Sequence, residues 1–227
     1  MRIVEVCAGD IQSAQAAAQG GAQRIELCAA LELDGLTPSA GLIEAARALP
    51  NLKLHVLIRP REGNFVYDAN EVEIMYNDIL LAKRLGADGV VIGALTWDGD
   101  IDVNTCRHLI EAAEGMQVTF HRAFDQCNDP QKALEEIISL GCTRILTSGQ
   151  KATAEAGIPL LKQLVDQANG RIIIMPGAGV NTENAWRILH ETGATEIHGS
   201  FRSDQKGRMI TDANIVNEVV ESINDMN

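Results

Sequence analysis

Four stretches of this chain repeat one pattern: Gly20-Gly21-Ala22-Gln23-Arg24-Ile25-Glu26-Leu27-Cys28, Leu85-Gly86-Ala87-Asp88-Gly89-Val90-Val91-Ile92-Gly93, Leu140-Gly141-Cys142-Thr143-Arg144-Ile145-Leu146-Thr147-Ser148 and Thr192-Gly193-Ala194-Thr195-Glu196-Ile197-His198-Gly199-Ser200. Each reads as a helix end, a glycine suited to the left-handed cap, and a short strand. They recur about once per quarter of the chain, and each gap has room for one more strand–helix unit. Eight βα units in 227 residues predict a (β/α)8 TIM barrel spanning residues 1–227 as a single domain. No Pro/Ser-rich linker, charge block or low-complexity tract divides it. Barrels of this kind carry their active sites at the C-terminal ends of the strands.

The predicted strands are 2–7, 24–28, 53–59, 88–93, 117–121, 143–148, 171–175 and 195–199, with helices between them. Thr37-Pro38 and Asp129-Pro130 each place a capping oxygen before proline at a first helical position, and Asn181 and Asp212 read as further caps. Val72, Met75, Ile79 and Leu80 give the stretch 70–85 an apolar helical face. Within the strands, Val4, Val6, Ile25, Leu27, Val56, Ile58, Val118, Phe120 and Ile197 take the helix-facing parity. Glu5, Cys7, Arg24, Glu26, Cys28, His55, Leu57, Arg59, Thr119, His121, Glu196 and His198 take the interior parity. The repeat sorts that interior further. Arg24, Gly89, Arg144 and Glu196 share a column near the N-terminal strand ends and read as a buried ion cluster that fills space. Glu26, Val91, Leu146 and His198 form the next column, and Cys28, Gly93, Ser148 and Ser200 reach the functional rim.

A net charge of -12 opposes nucleic acid and anionic membrane surfaces as partners, and 4% aromatic residues offer few stacking platforms for single strands. A strand begins at Arg2 without a leader, and no apolar run is long enough to span a bilayer, which points to the cytoplasm. Five cysteines without a CxxC spacing suggest neither a disulfide framework nor a structural zinc site.

Four constellations carry possible chemistry. Cys7 and Cys28 end neighbouring strands with the same parity, roughly 5 Å apart. As thiolates they suit a soft monovalent ion such as Cu(I); as thiols they are small apolar fillers. Cys106 and Cys142 read as packing, and the role of Cys127 stays open. Glu5, Glu26, His55 and His121 converge as general acid/base groups or hard-metal ligands, or as a hydrogen-bonded network with Arg59 as counter-ion. Arg59, Arg61 and Arg122 offer forks for a carboxylate or phosphate, or one of them simply pairs Glu26 or Asp125. Gly177, Gly179, Ser148 and Ser200, in the loops after strands six, seven and eight, lie where many barrels bind phosphate. No lysine ends a strand, the nearest being Lys151 in a loop, which argues against a Schiff-base aldolase.

Glu5-Val6-Cys7, the segment 20–28, Gly35-Leu36-Thr37-Pro38-Ser39, Ile58-Arg59-Pro60-Arg61, Gly86-Ala87-Asp88-Gly89, Val118-Thr119-Phe120-His121-Arg122-Ala123-Phe124-Asp125, Leu146-Thr147-Ser148-Gly149 and Met175-Pro176-Gly177 together resemble the barrel-type CutC copper-homeostasis family, from residue 3 to about residue 203. The resemblance implies a (β/α)8 barrel, a cytoplasmic location, a homodimer and Cu(I) handling, with Cys7 and Cys28 in the positions of the implicated ligands. Leu33-Asp34 before Gly35 and Phe201 after Ser200 depart from the family pattern. Two functions follow as expectations: cytosolic Cu(I) binding, or an enzyme acting by acid/base or metal-assisted chemistry on a small anionic or phosphorylated metabolite.

Overall fold

A computed structural model of the chain describes residues 2–224. The chain runs β1 (Ile3–Ala8), α1 (Ile11–Gln19), β2 (Arg24–Leu27), α2 (Ala40–Arg47), β3 (Lys53–Leu57), α3 (Ala69–Arg84), β4 (Gly89–Ile92), α4 (Val103–Ala112), β5 (Gln117–Phe120) and α5 (Pro130–Ser139). It continues through β6 (Arg144–Thr147), α6 (Ile158–Ala168), β7 (Ile173–Pro176), α7 (Ala185–Thr192) and β8 (Glu196–Gly199), then a hairpin of β9 (Arg202–Asp204) and β10 (Met209–Thr211), and ends in α8 (Ala213–Asn224). Parallel ladders join the strands in the order β7-β6-β5-β4-β3-β2-β1-β8. β7 and β8 close the ring side by side, near enough that a Cβ on Gly177 would lie 3.3 Å from that of His198. The fold is a single-domain (β/α)8 barrel.

All eight expected strands are present, with ends displaced by at most two residues. The repeat has a backbone cause. Gly21, Gly86, Gly141 and Gly193 all adopt positive φ, between 76° and 85°, and the strand starts three residues later in each case, at Arg24, Gly89, Arg144 and Glu196. A side chain at these turns would be strained, so glycine sets where each of those strands begins.

Asp129 caps α5 on the Lys132 amide with Pro130 as first helical residue, and Asp212 accepts from Asn214 at the start of α8. Asn181 accepts from Glu183 and Asn184 in the turn that leads into α7. The expected cap at Thr37 is a correction. α2 starts at Ala40, capped by Ser39, while the Thr37 hydroxyl accepts from the Arg59 amide at 2.9 Å and ties two barrel-top loops together. The β9–β10 hairpin was not legible in the repeat. Phe201, at φ 45°, enters it by turning its ring into the core against Gly199, so this family departure fills space beneath the turn.

Alternation divides the buried residues as the strand parity requires. Val4, Val6, Ile25, Leu27, Val56, Ile58, Val118, Phe120 and Ile197 join the helices in one continuous apolar layer. The barrel interior is mostly ionic. Arg24 donates through Nε to Glu5 and through Nη2 to Glu196, and Arg144 Nε donates to Glu196 at 3.0 Å. Arg144 also reaches Thr119 and Gln117, at 3.2 and 2.9 Å. His55 lies on the same level, with Nδ1 3.9 Å from Glu5. It fits because Gly89 has no Cβ, which would sit 2.6 Å from the ring. Burial pushes the His55 pKa down to about 3, so this imidazole is neutral. One small apolar patch interrupts the ionic interior: Cys7, Cys28, Leu57 and Val91, with Leu31 against it.

Two predictions follow from this interior. Arg24→Met leaves Glu5 and Glu196 buried without their shared counter-ion, and equilibrium denaturation should report a loss of about 3–5 kcal/mol; a loss within error of zero removes the ion cluster's structural role. The second concerns acid. The unfolded chain takes up a proton at His55 near pH 6.5 that the folded chain refuses until about pH 3. Stability should therefore fall as pH drops through that window, and urea titrations of His55→Gln should show a shallower fall.

Candidate functional site at the barrel mouth

The C-terminal strand ends open into a cavity of about 650 Å³. Cys7 from β1, Glu26 from β2 and His198 from β8 make its floor, and Leu57 and Leu146 contribute apolar surface. Arg59, Phe65, His121 and Arg122 come from the segments after β3 and β5. Asp34, Gln150, Lys151, Gly179, Ser200 and Arg202 belong to the surrounding loops.

His198 links the floor to the ion cluster below. Its Nδ1 lies 2.9 Å from Glu5 Oε1 and its Nε2 3.3 Å from Glu26 Oε2. Burial alone would lower the His198 pKa, but the hydrogen bond to Glu5 and the charges of Glu26 and Glu5 outweigh it and raise it. Burial would likewise raise Glu5, yet Arg24 and His198 hold it well below the usual carboxylate range. Glu26 has no guanidinium bonded to it, and burial together with the Glu5 charge lifts its pKa. Two carboxylates on one imidazole thus differ in basicity, and the more basic one faces the cavity.

His121 caps the turn 122–126: its Nδ1 accepts from the Ala123 amide at 3.2 Å, which leaves the proton on Nε2. Nε2 is buried and has no partner among the described residues, and burial beside Arg59 pushes the pKa down to about 3. The ring packs 4.9 Å from Phe65.

The candidates divide by position. Glu26, His121, Arg59, Arg122, Gly179, Ser200 and Cys7 line the cavity. Glu5 and His55 lie beneath its floor, and Cys28 lies behind Cys7. Arg59 spends its fork on the carbonyls of Leu33, Gly35 and Gly63, at 2.8, 3.0 and 2.9 Å, so it organises loops. Arg61 leaves the mouth for a side groove, where it binds Glu71 and stacks on Tyr67. Arg122 pairs with Asp125 at 2.8 Å and approaches Ser148 at 3.3 Å. The Ser148 hydroxyl is held between Asp125 and the Lys151 carbonyl. Gly177 sits below the rim, where a Cβ would strike Leu146. Lys151 lines the mouth from its loop. His198 is the floor residue absent from the sequence-based candidates, although it shares the interior column of Glu26. Asp125 also organises the rim, accepting from Thr147, Ser148 and Gln150.

The two cysteines of the apolar patch meet, with Cys7 Sγ 3.8 Å from Cys28 Sγ. Gly35 lies on Cys28, where a Cβ would be 3.4 Å from that of the cysteine, and no open surface remains to Cys28. The hydrogen bond with Cys28, then burial, raise the Cys7 thiol pKa well above its usual value. Cys7, Glu26 and His198 also place one sulfur, one oxygen and one nitrogen donor within 4.8 Å of one another. Cys106 and Cys127 are buried thiols pushed to about 12 and about 11, and Cys142 is raised as well. Cys127 accepts a weak contact from Gln150.

Residues 2–203 match the CutC family. The chain is 56% identical over 206 residues to a family protein CutC of Bacteroides thetaiotaomicron, covering 90% of this chain and 83% of that one. It is 49% identical over 207 residues to the copper homeostasis protein cutC homolog of Mus musculus, covering 91% and 76%. A crystal structure of a CutC protein from Streptococcus agalactiae superposes with a TM-score of 0.85 at 38% identity, covering 88% of this chain and 99% of that one. Likeness at this level, along nearly the whole barrel, makes this protein a member of the CutC family.

Proposed function

We propose that this protein binds Cu(I) through Cys7 and Cys28 in the service of copper homeostasis. The observation that carries the reading is the 3.8 Å separation of the two sulfurs, which lets one ion touch both. Thiolates select Cu(I) over harder cations, and Leu57, Val91 and Leu31 pack around the pair. The ion enters by way of Cys7, which borders the cavity. The names of the relatives agree with a copper role. The reading also places the protein in the cytoplasm, where free thiols stay reduced, and, by family resemblance, in a homodimer. Among the described residues no helix is long and apolar enough to cross a membrane.

A second reading has its own observation. A cavity of about 650 Å³ exceeds what one ion needs, and its floor pairs Glu26 with His198 beneath a rim carrying Arg122, Lys151 and Ser200. These features suit acid/base chemistry on a small anionic metabolite, with Glu26 as base and Arg122 and Lys151 as anion partners.

Competition with a colour-forming chelator tests the copper reading. The wild type should take up one Cu(I). The Cys7→Ser, Cys28→Ser double variant should lose more than the roughly 10–100-fold that removing an outer-shell partner costs; equal affinity ends the proposal. Because Cys7 must lose its proton, apparent affinity should rise with pH, about tenfold per unit for each proton displaced. For the second reading, inorganic phosphate should raise the melting temperature of the wild type and do so less for Arg122→Ala. No shift in the wild type removes the anion site.

A further inference from the structure

The cavity floor holds a second donor set that leaves Cys28 out. Cys7, Glu26 and His198 offer Sγ, a carboxylate oxygen and a ring nitrogen within 4.8 Å of one another, and all three residues line the cavity. They stand on β1, β2 and β8, adjacent strands whose ladders fix their spacing. His198 is oriented from behind. With Nδ1 bonded to Glu5 at 2.9 Å, its Nε2 is turned toward Glu26 at 3.3 Å. A carboxylate on the far nitrogen is how metal-binding histidines have their tautomer and ring plane fixed. Glu5 cannot swing away, because Arg24 bonds its other oxygen.

A mixed sulfur, nitrogen and oxygen set suits a borderline divalent ion, whereas Cu(I) favours the all-sulfur pair. Three protein donors with a remaining position open to a cavity match catalytic zinc sites, in contrast to the closed four-ligand shell of structural ones.

We propose that Cys7, Glu26 and His198 form a binding site for a borderline divalent cation, Zn²⁺ foremost, with its open coordination position facing the cavity. The site goes beyond Cu(I) binding and shares only Cys7 with it. Glu5 is its positioning residue, acting through His198. Bound there, the cation would polarise an oxygen of water or of a small anion in the mouth.

The full-length metal-free protein, titrated with Co²⁺ and then Zn²⁺, tests this. The wild type should bind one equivalent of Co²⁺ with a thiolate-to-cobalt charge-transfer band. The band should vanish in Cys7→Ser, persist in Cys28→Ser, and require at least about tenfold more Co²⁺ in Glu26→Gln and His198→Gln. X-ray absorption of the Zn²⁺-loaded wild type should find one sulfur among nitrogen and oxygen ligands, a readout that stands even if a variant fails to fold. Two sulfurs in that shell, loss of the band in Cys28→Ser, unchanged binding by Glu26→Gln, or no stoichiometric binding by the folded wild type would each overturn the site. The same variants separate it from the copper reading: Cys28→Ser should weaken Cu(I) while sparing Co²⁺, and Glu26→Gln should do the reverse.

Discussion

Arg24 holds the lower barrel together. One guanidinium joins Glu5 on β1 to Glu196 on β8, across the place where the chain returns to its first strand. Arg144 extends the cluster to β6 and, through Thr119, to β5. Buried ions of this kind stabilise little on balance, since desolvation offsets most of the attraction, but they tolerate few arrangements. In this barrel that exactingness has a further effect. Glu5, fixed from below, presents its free oxygen to His198, so the geometry of the floor is inherited from the ion cluster.

The consequence is a layered interior in which each level sets the protonation of the next. Arg24 keeps Glu5 ionised, Glu5 keeps His198 basic, and Glu26 is left as the carboxylate with the weakest support. His55 and His121 are the opposite case. In each the cost of burying a charge prevails, over the pull of Glu5 in the case of His55, so each stays neutral. Histidines on one barrel thus serve as a polar spacer below the floor, a donor in the wall and a hinge between two carboxylates.

The sulfur chemistry is set by access. Cys7 and Cys28 are neighbours, but one borders the cavity and the other lies under Gly35. Cys7 therefore belongs to two donor sets, one shared with Cys28 in apolar surroundings and one shared with Glu26 and His198 at the open floor. A soft ion and a borderline ion would be drawn to different sides of the same sulfur.

Period-two alternation and the recurring glycine are local properties, and they sufficed to read the eight strands, the polar interior and the adjacency of Cys7 and Cys28 from sequence. Strand parity cannot say which donors at the same level meet. His198 stood in the right column, yet its position between two carboxylates follows from ring closure, which brings residues 5 and 198 together. Loop residues were less legible still. Arg59 and Arg61 are close in sequence, but loop carbonyls claim the first and Glu71 the second, and neither outcome is encoded in spacing. The hairpin after β8 and the sealing of Cys28 likewise depend on how distant backbone segments pack, a competition for space that tertiary structure alone decides.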